Sequence, residues 1–248
     1  EALDRTKKLG EELAELLDLL YFAGTHGFLV VLQGRDAAGK DGTIRQILKF
    51  AHAQSCRVAS FKVPSALELS HDFLWRCHIQ APSKGETVIF NRSHYEDVLV
   101  VRVKDLAPKS VWERRFEHIN SFERLLVDSN TIVAKFFLHI SKEEQEERFK
   151  EREKEIENAW KLSVGDWRER PYWDQYTEAY EDAISKCSTD IAPWFVVPSN
   201  KKWFRNLAVT EALVNALRQF KEQWLKHLDE VGKKAKEEIA AYRLTETP

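Results

Sequence analysis

The residues with the clearest chemical potential lie in a glycine-bounded loop near the start of the chain. The stretch FLVVLQGRDAAGKDGTIRQ, residues 28–46, joins an apolar run to a loop that ends in Lys40 and then to a helical pattern. A phosphate-binding loop has these parts in this order and usually reads G-x-x-x-x-G-K-[ST]. Its backbone N–H groups turn inward, and the following helix points its positive end at the anion. We therefore expect phosphate contacts from Gly34, Ala37, Ala38, Gly39, Lys40, Asp41, Gly42 and Thr43.

One position of this loop departs from the usual pattern. Asp41 occupies the place of the Ser or Thr whose hydroxyl binds the magnesium ion of a nucleotide. The next hydroxyl belongs to Thr43, three residues after Lys40, and a second carboxylate, Asp36, lies within the loop. The loop residues by themselves leave open which group would hold a metal.

A second set of polar residues follows the third apolar stretch. In ETVIFNRSHYEDVLVVRV, residues 86–103, the strand-like part ends at Asn91 and Arg92, and Glu96 and Asp97 follow one helical turn later. In phosphate-loop enzymes the neighbouring strand usually ends in an acidic residue that helps to hold magnesium. Polar residues at the carboxyl ends of parallel strands lie where open α/β sheets bind ligands. We expect Arg92 to clamp a phosphate and the two carboxylates to be candidate metal ligands; an exposed polar turn is the alternative.

Basic residues recur at positions that are expected to face the same crevice. Two lie four residues apart after the loop, one ends the second strand, one follows the Asn91 turn, and two share a face of a charged helix. These residues are Arg45, Lys49, Lys62, Arg102, Arg148 and Arg152. Each alone is typical of a solvated surface. Together, in a chain with a net charge of −2, they indicate a groove for more negative charge than one nucleotide carries.

The segment EERFKEREKEIENAWKLSVGDWRERPYW, residues 146–173, is charged nearly all round. One interpretation is a solvated helix joined to a turn. The other is a lid, a charged helix pair that closes over the phosphate site. Trp160, Lys161 and Trp167 lie at a break between helical patterns and favour the lid, and Lys161 becomes a candidate for nucleotide contact.

Alternating strand-like and helix-like segments must hold these residues in place. Five short runs rich in Val, Ile and Phe lack strict alternation, as expected for strands covered on both faces; they span residues 28–33, 57–63, 87–91, 131–140 and 194–197. Helical patterns occupy residues 3–23, 40–53, 66–80, 111–126, 142–157, 172–188 and 202–226. This order predicts an α/β fold with a five-stranded parallel sheet and helices on both faces. No repeat or linker divides the chain, so we expect one domain over residues 1–248, with a peripheral tail at about 228–248.

Composition excludes several function classes and indicates a compartment. The net charge of −2 gives no general attraction to nucleic acid or to an anionic membrane. No apolar run approaches the ~18 residues that span a bilayer, and no signal peptide is recognisable. Three cysteines without a C-x-x-C pair indicate reduced thiols, so we expect a cytoplasmic protein. The histidines show no metal-ligand spacing.

Several of these motifs together resemble those of the family-2 polyphosphate kinases. The motifs are GRDAAGKDGTI, FKVPS, HDFLWR, FNRSHYEDVLVVRV, AWKLS and APWFVVPSNKKWFRNLAV. The stretch NRSHYEDVLVVRV is most similar to the branch that acts on nucleoside mono- and diphosphates. The resemblance extends from about residue 9 to about residue 217 and implies a P-loop kinase fold with a helical lid.

The resemblance also implies an activity, which is phosphoryl transfer between inorganic polyphosphate and AMP or ADP with Mg²⁺. It implies adenine nucleotides, with guanine nucleotides as an alternative, and a homo-oligomer, either a dimer or a tetramer. Asp36 matches a loop aspartate that binds or positions the metal in this family, which leaves Asp41 free to vary. Many members have Asp-Arg-Ser where this chain has Asn91, Arg92 and Ser93, and asparagine cannot act as a base. Since phosphoryl transfer depends mainly on positioning and charge neutralisation, this loss is tolerable.

The expected reaction assigns roles to a small set of side chains. The expected catalytic residues are Asp36, Lys40, Asn91, Arg92 and Arg152. Two other functions stay open, namely an ATP-dependent nucleotide or small-molecule kinase on the same fold and a non-catalytic nucleotide- or polyphosphate-binding regulator. The missing Ser or Thr at position 41 argues against the first, and the intact Asp36, Lys40 and Arg92 argue against the second.

Overall fold

A five-stranded parallel sheet forms the centre of the computed structural model, which describes residues 1–154 and 164–245. The strands are β1 (Gly27–Gln33), β2 (Cys56–Ser60), β3 (Thr87–Asn91), β4 (Thr131–His139) and β5 (Trp194–Pro198), and they lie in the order β2-β3-β1-β4-β5. Strand β1 is buried along its whole length, and β3 and β4 are buried up to their last residue. Burial on both faces explains their continuous apolar runs. The predicted α/β class and the five parallel strands are confirmed.

Helices form the connections between these strands. The α-helices of the described residues are α1 (Ala2–Ala23), α2 (Lys40–Leu48), α3 (Ala66–Leu69), α4 (Trp75–His78), α5 (Val100–Val103), α6 (Lys109–Trp112), α7 (Arg115–Asp128), α8 (Lys142–Lys154), α9 (Val164–Glu169), α10 (Trp173–Cys187), α11 (Lys202–Arg218) and α12 (Lys221–Thr245). Short 3₁₀ helices occur at His94–Asp97 and Arg170–Tyr172. Within residues 1–154 and 164–245, no helix combines the length and the apolar character needed to cross a membrane.

Three of the predicted helices are interrupted in the structure. The pattern at residues 66–80 divides into α3 and α4, the pattern at 111–126 into α6 and α7, and the pattern at 202–226 into α11 and the start of α12. Between α3 and α4, the Asp72 carboxylate accepts a hydrogen bond from the Leu74 N–H at 2.9 Å. Such side chain–backbone bonds replace helical ones. Apolar periodicity continues through these breaks and does not reveal them.

The two faces of the sheet carry separate apolar clusters. On β1, Phe28, Val30 and Leu32 point to the face that is covered by α1 and α11, while Leu29 and Val31 point to the face covered by α7 and α10. This alternation follows the period-two geometry of a strand. Each fully buried large aliphatic or aromatic side chain contributes roughly 1.5–3 kcal/mol relative to an exposed one. The sheet is therefore a rigid platform for the loops at its edge.

The strand order places two of the predicted polar loops side by side. Strand β1 pairs with β3 on one side and with β4 on the other, and Leu32 is opposite both Asn91 and Phe136. The chain thus leaves β1 and β3 at the same edge of the sheet, where the strand order reverses. Open α/β sheets bind ligands at this point.

Candidate active site

The loop between β1 and α2 has a conformation that depends on glycine at Gly34 and Gly39. Their φ angles are 156° and 104°, and a Cβ at Gly34 would lie 2.8 Å from the carbonyl oxygen of Leu138. Ala37 also has a positive φ, 61°, which is uncommon for a residue with a side chain. A strained backbone conformation persists only where the surrounding structure holds it in place, and such residues are found most often at ligand sites.

Lys40 begins α2 and curls back over the loop. Its Nζ donates to the carbonyl oxygens of Gly34 at 2.6 Å and Arg35 at 3.2 Å. Burial lowers the pKa of Lys40, and the nearby Asp36 opposes this effect. No carboxylate oxygen within the described part of the chain lies at ion-pair distance from this ammonium group. Its charge is therefore directed to the space inside the loop, where a phosphate is expected.

Arg92 links the loop to the end of β3. Its Nη2 donates to Oδ1 of Asp36 at 3.0 Å, and its Nη1 lies 3.6 Å from Oε2 of Glu96. Arg92 has a φ of 61°, and the 3₁₀ helix that follows carries Glu96. Burial raises the pKa of Glu96, while Arg92 and Lys40 act to lower it. The structure thus brings together the loop aspartate, the predicted phosphate clamp and one of the candidate metal ligands.

Asp41 and Thr43 make contacts that differ from those of the usual Ser or Thr. Asp41 is exposed, and its Oδ1 accepts a hydrogen bond from Nδ2 of Asn91 at 3.2 Å. The Thr43 hydroxyl is buried and donates to the carbonyl oxygen of Gly39 at 3.1 Å. The hydroxyl three residues after Lys40 is thus occupied within the helix and does not replace the missing one.

Two cavities meet at the loop. A cavity of about 480 Å³, here named the aromatic cavity, has Trp173, Tyr176 and Tyr180 on one wall. A cavity of about 420 Å³, here named the loop cavity, is formed by the loop itself with Lys40 and Arg45. The loop cavity is lined by Asp36, Ala37, Gly39, Lys40, Asp41, Gly42, Arg45, Asn91, Arg92, Arg152 and Asp166. The residues that line both cavities are Asp36, Arg92 and Asp166.

The lid segment, residues 146–173, is described on both sides of residues 155–163. Arg152 on α8 and Asp166 on α9 approach each other to 3.4 Å and both face the loop cavity. Burial raises the pKa of Asp166, and Asp36 adds to this effect. The predicted residues Trp160 and Lys161 lie outside the described residues, so the expected nucleotide contact of Lys161 stays a prediction.

Arg148 does not reach either cavity, in contrast to the sequence prediction. Its side chain is buried and donates to the carbonyl oxygens of Ala37 at 2.8 Å, Ser199 at 2.8 Å and Asn200 at 2.9 Å. Its Nε also donates to Oε1 of Glu144 at 2.9 Å. Because its donors are directed at backbone carbonyls behind the loop, Arg148 supports the loop instead of contacting a phosphate.

Six other predicted residues lie outside the linings of both cavities, and two of them, Ala38 and Thr43, are buried beneath the loop. The other four are charged. Arg102 pairs with Asp182 at 2.5 Å and covers the ring of Trp112 at 5.0 Å. Asp97 pairs with Arg115 at 3.0 Å, and burial raises its pKa to about 6. Lys49 and Lys62 are exposed. Helical spacing placed Lys49 with Arg45, but only Arg45 lines the loop cavity.

Several residues of the site carry no recognisable signal in the sequence. Arg35 lies over the Trp173 ring at 3.9 Å and donates to Oγ1 of Thr177 at 2.6 Å. Gln145 donates to the Asp36 carbonyl oxygen at 2.9 Å. Arg205, on α11, packs against the glycines of the loop. Arg35 and Thr177 are 142 positions apart in the sequence, and Gln145 and Asp36 are 109 positions apart. Local spacing therefore does not predict these contacts.

The carboxylates at the loop fit a magnesium ion that is shared with phosphates. Within residues 1–154 and 164–245, no three His, Cys, Asp or Glu side chains lie close enough to hold a metal by themselves. Magnesium in phosphate-transfer sites is usually bound by one or two carboxylates, waters and substrate phosphates. Asp36 lines both cavities beside Lys40 and meets this requirement.

The loop and the sheet order are those of a P-loop kinase fold, and the pair of cavities beside them is the candidate active site. The sequence profile of Polyphosphate kinase 2 matches residues 1–224. The AMP/ADP-polyphosphate phosphotransferase of Meiothermus ruber is 54% identical over 216 residues, which cover 87% of this chain and 81% of that protein. The ADP-polyphosphate phosphotransferase of Rhodopseudomonas palustris is 43% identical over 85% of this chain and 77% of that protein.

The fold is also similar to that of a solved structure of this family. The crystal structure of Polyphosphate Kinase 2 from Arthrobacter aurescens TC1 superimposes with a TM-score of 0.86 at 40% identity, over 89% of this chain and 80% of that one. This chain therefore belongs to the polyphosphate kinase 2 family. The predicted P-loop kinase fold and the predicted family are confirmed.

Proposed function

We propose that this chain transfers the terminal phosphoryl group of inorganic polyphosphate to AMP and to ADP, reversibly and with Mg²⁺. The names of the two relatives support polyphosphate and these nucleotides as substrates. The observation that carries the proposal is the wall shared by the loop cavity and the aromatic cavity, which is formed by Asp36, Arg92 and Asp166. A donor and an acceptor in these two cavities would meet at this wall.

The two cavities differ in the chemistry that they offer. The loop cavity has the backbone turn, the N-terminus of α2 and the side chains of Lys40, Arg45 and Arg152, which suit a chain of phosphates. The aromatic cavity has Tyr176 and Trp173 beside Lys104 and Arg170, which suits a nucleoside monophosphate. Polyphosphate therefore belongs on the loop and the nucleotide in the aromatic cavity.

The transfer itself requires positioning and charge neutralisation more than proton chemistry. A phosphate oxygen of AMP or ADP forms a new bond to the terminal phosphorus. The anhydride bond to the rest of the chain breaks, and the shortened polyphosphate keeps the electron pair. Lys40 and Arg92 neutralise the charge on the transferring group, and Arg152 does so from the lid segment. Asn91 hydrogen-bonds Asp41 and holds the rim of the loop.

Asp36 is the proposed ligand of Mg²⁺, with Glu96 as a second candidate. When bound, the ion would neutralise phosphate charge. Asp36 is held by Arg92 through Oδ1, which orients the carboxylate toward the shared wall. Asp97 is left out of this site because Arg115 and Arg76 bind its carboxylate.

The proposal includes several properties of the whole protein. These are one P-loop kinase domain, adenine nucleotides as substrates with guanine nucleotides as the alternative, a homo-oligomer that is a dimer or a tetramer, and a cytoplasmic location without nucleic-acid or membrane partners. Light scattering on the purified protein would measure the oligomeric state. A nucleotide panel would measure the base preference.

The decisive experiment supplies purified protein with AMP or ADP, polyphosphate and Mg²⁺ and measures the nucleotides formed. We expect ADP and ATP to appear with polyphosphate as the donor, and Lys40→Ala to lower the rate by at least about 100-fold. A matched assay replaces polyphosphate with ATP. Phosphorylation that needs ATP and ignores polyphosphate would instead support an ordinary nucleotide kinase. Binding without turnover would support a regulator.

A further inference from the structure

Arg205 places a buried guanidinium directly behind the phosphate loop. Only 4% of this residue is exposed, and it lies on α11, far from the loop in sequence. A Cβ at Gly39 would lie 1.8 Å from its Nη1, and a Cβ at Gly42 would lie 2.9 Å from its Nη2. Gly42 is helical and does not need a positive φ. The guanidinium thus explains why position 42 is glycine, and it adds a second reason at position 39.

This guanidinium has no acidic partner among the described residues. Its Nε and Nη2 donate to Oδ1 of Asn206 at 3.2 and 2.9 Å, and an amide carries no compensating charge. The charged neighbour that affects it is Arg148, a like charge. Burial and Arg148 lower the pKa of Arg205 to about 10, so it remains a cation at neutral pH.

The position of this cation is unfavourable unless an anion is present. It lies beside the first residues of α2, where the helix dipole is already positive. A buried charge without a partner is destabilising in general, and a like charge nearby adds to that cost. A bound polyanion on the other side of the loop would offset both effects.

We propose that Arg205 is a positioning residue of the phosphate site. Its guanidinium packs against the backbone of Gly39 and Gly42 and so fixes the conformation of the loop. Its positive charge also attracts polyphosphate bound on the opposite side of the loop backbone. Arg205 does not line the loop cavity and is not assigned a contact with the substrate. The inference rests on the proposed function, because it assumes that a phosphate chain occupies the loop.

The first test measures binding of tripolyphosphate to the full chain by calorimetry, without nucleotide. Arg205→Met keeps an apolar stem and removes the charge, while Arg205→Lys keeps the charge. The control is Arg218→Met on the same helix, where the exposed Arg218 pairs with Glu12 at 2.7 Å. At low salt we expect about tenfold weaker binding for Arg205→Met, a smaller loss for Arg205→Lys and none for the control.

Two further readouts separate a charge effect from a loss of packing. For Arg205→Met, the salt dependence of tripolyphosphate binding should become shallower, and the melting temperature without ligand should stay equal or rise. A variant that melts earlier but binds with wild-type affinity and salt dependence would show that Arg205 only fills space, and would overturn the proposal.

The second test measures the contact with the loop by a double-mutant cycle. Gly42→Ala should weaken tripolyphosphate binding in the wild-type background, because the new Cβ displaces the guanidinium. In the Arg205→Met background the same change should cost much less. If the losses of binding free energy caused by Gly42→Ala and Arg205→Met add in the double variant, Arg205 does not position the loop. If the wild-type protein binds no tripolyphosphate, the proposed function itself fails, whichever variant is used.

Discussion

At the scale of single residues, the two loop carboxylates have different surroundings. Asp36 is held by Arg92 at 3.0 Å and lines both cavities. Asp41 is exposed at the rim and accepts only the Asn91 amide at 3.2 Å among the hydrogen bonds of the described residues. A side chain that binds a metal ion between two substrates must lie beside both substrate cavities. Asp36 does so, and Asp41 does not.

Asp36→Asn should therefore lower the turnover number by about 100-fold or more, because an amide cannot supply the negative charge that Mg²⁺ favours. The residual activity should depend less steeply on Mg²⁺. Rates across a magnesium titration would measure both effects, with circular dichroism to check folding.

Asp41→Ser is the matched change, since it restores the usual loop pattern. We expect its rate to stay within about threefold of the wild-type rate, as for an exposed residue without a buried partner. If Asp41→Ser lost most of its turnover while Asp36→Asn kept the wild-type rate, Asp41 and not Asp36 would be the metal ligand.

At the scale of elements, helix α8, which carries Arg152, is the described start of the lid segment. Helix α8 is exposed at most positions, and its buried residues are Gln145, Arg148 and Phe149. Arg152 itself is about a quarter exposed and reaches Asp166 at 3.4 Å. A partly exposed ion pair of this kind contributes little to stability. Its position over the loop cavity is better explained by a role in phosphate binding.

Arg152→Ala should lower the turnover number by about 10- to 100-fold and shift the melting temperature by less than about 2 °C. Steady-state kinetics and thermal unfolding would be measured on the same preparation. Lys150→Ala is the control, because Lys150 lies on the same helix and pairs only with Glu146 among the ion pairs of the described residues. Equal activity of both variants would favour a solvated helix without a lid function.

The second element is helix α12, which contacts the rest of the protein through a hydrogen bond to His26. Trp224 on α12 is fully buried and donates from Nε1 to Nδ1 of His26 at 3.2 Å, next to Phe220. Burial lowers the pKa of His26, and Lys84 adds to this effect. A protonated Nδ1 could no longer accept the Trp224 hydrogen bond, so this contact requires the neutral ring.

This contact predicts a pH dependence of stability. Below pH ~6.5 the unfolded chain binds a proton at His26 that the folded chain binds less tightly. The free energy of unfolding should therefore fall as the pH falls from about 6.5 toward the folded-state pKa, by up to about 1.4 kcal/mol per pH unit. Urea unfolding between pH 5 and 8 should show a smaller slope for His26→Asn. The exposed His118→Asn should keep the wild-type slope.

At the scale of the whole molecule, charge is arranged locally and is nearly balanced overall. The net charge is −2, yet the loop cavity has four cationic side chains, Lys40, Arg45, Arg92 and Arg152, against three carboxylates, Asp36, Asp41 and Asp166. Attraction to a polyanion then depends on a short-range field that ions screen within about 10 Å at 0.1 M salt. Polyphosphate should be more sensitive to this screening than a nucleotide in the aromatic cavity.

We expect the KM for polyphosphate to rise by at least about tenfold between 0.05 and 0.5 M NaCl. The KM for AMP should rise less, because aromatic contacts supply part of its binding. Arg45→Gln, which removes an exposed cation from the loop cavity, should make the salt dependence for polyphosphate shallower. Equal salt dependence for both substrates would contradict the assignment of the two cavities.

The sequence by itself determined the parts of this protein that depend on local patterns. Glycine spacing and Lys40 located the phosphate loop, apolar runs located five strands, and the order of elements indicated a parallel α/β sheet. Strands β1, β3 and β4 are buried as the runs predicted, whereas the edge strands β2 and β5 are partly exposed. These features are readable because backbone conformation and strand burial leave their mark on neighbouring residues. The family resemblance came from the same contiguous stretches and was confirmed.

Only the tertiary structure decided which distant side chains share the site. It placed Asp166 and Tyr176 around the loop and put Arg205 behind it. It also turned Arg148 toward backbone carbonyls and gave Asp97 to Arg115, although helical spacing had grouped both with the site. Spacing gives the face of a helix but not what that face packs against, because the partner is set by the sheet order and by contacts between residues far apart in the chain.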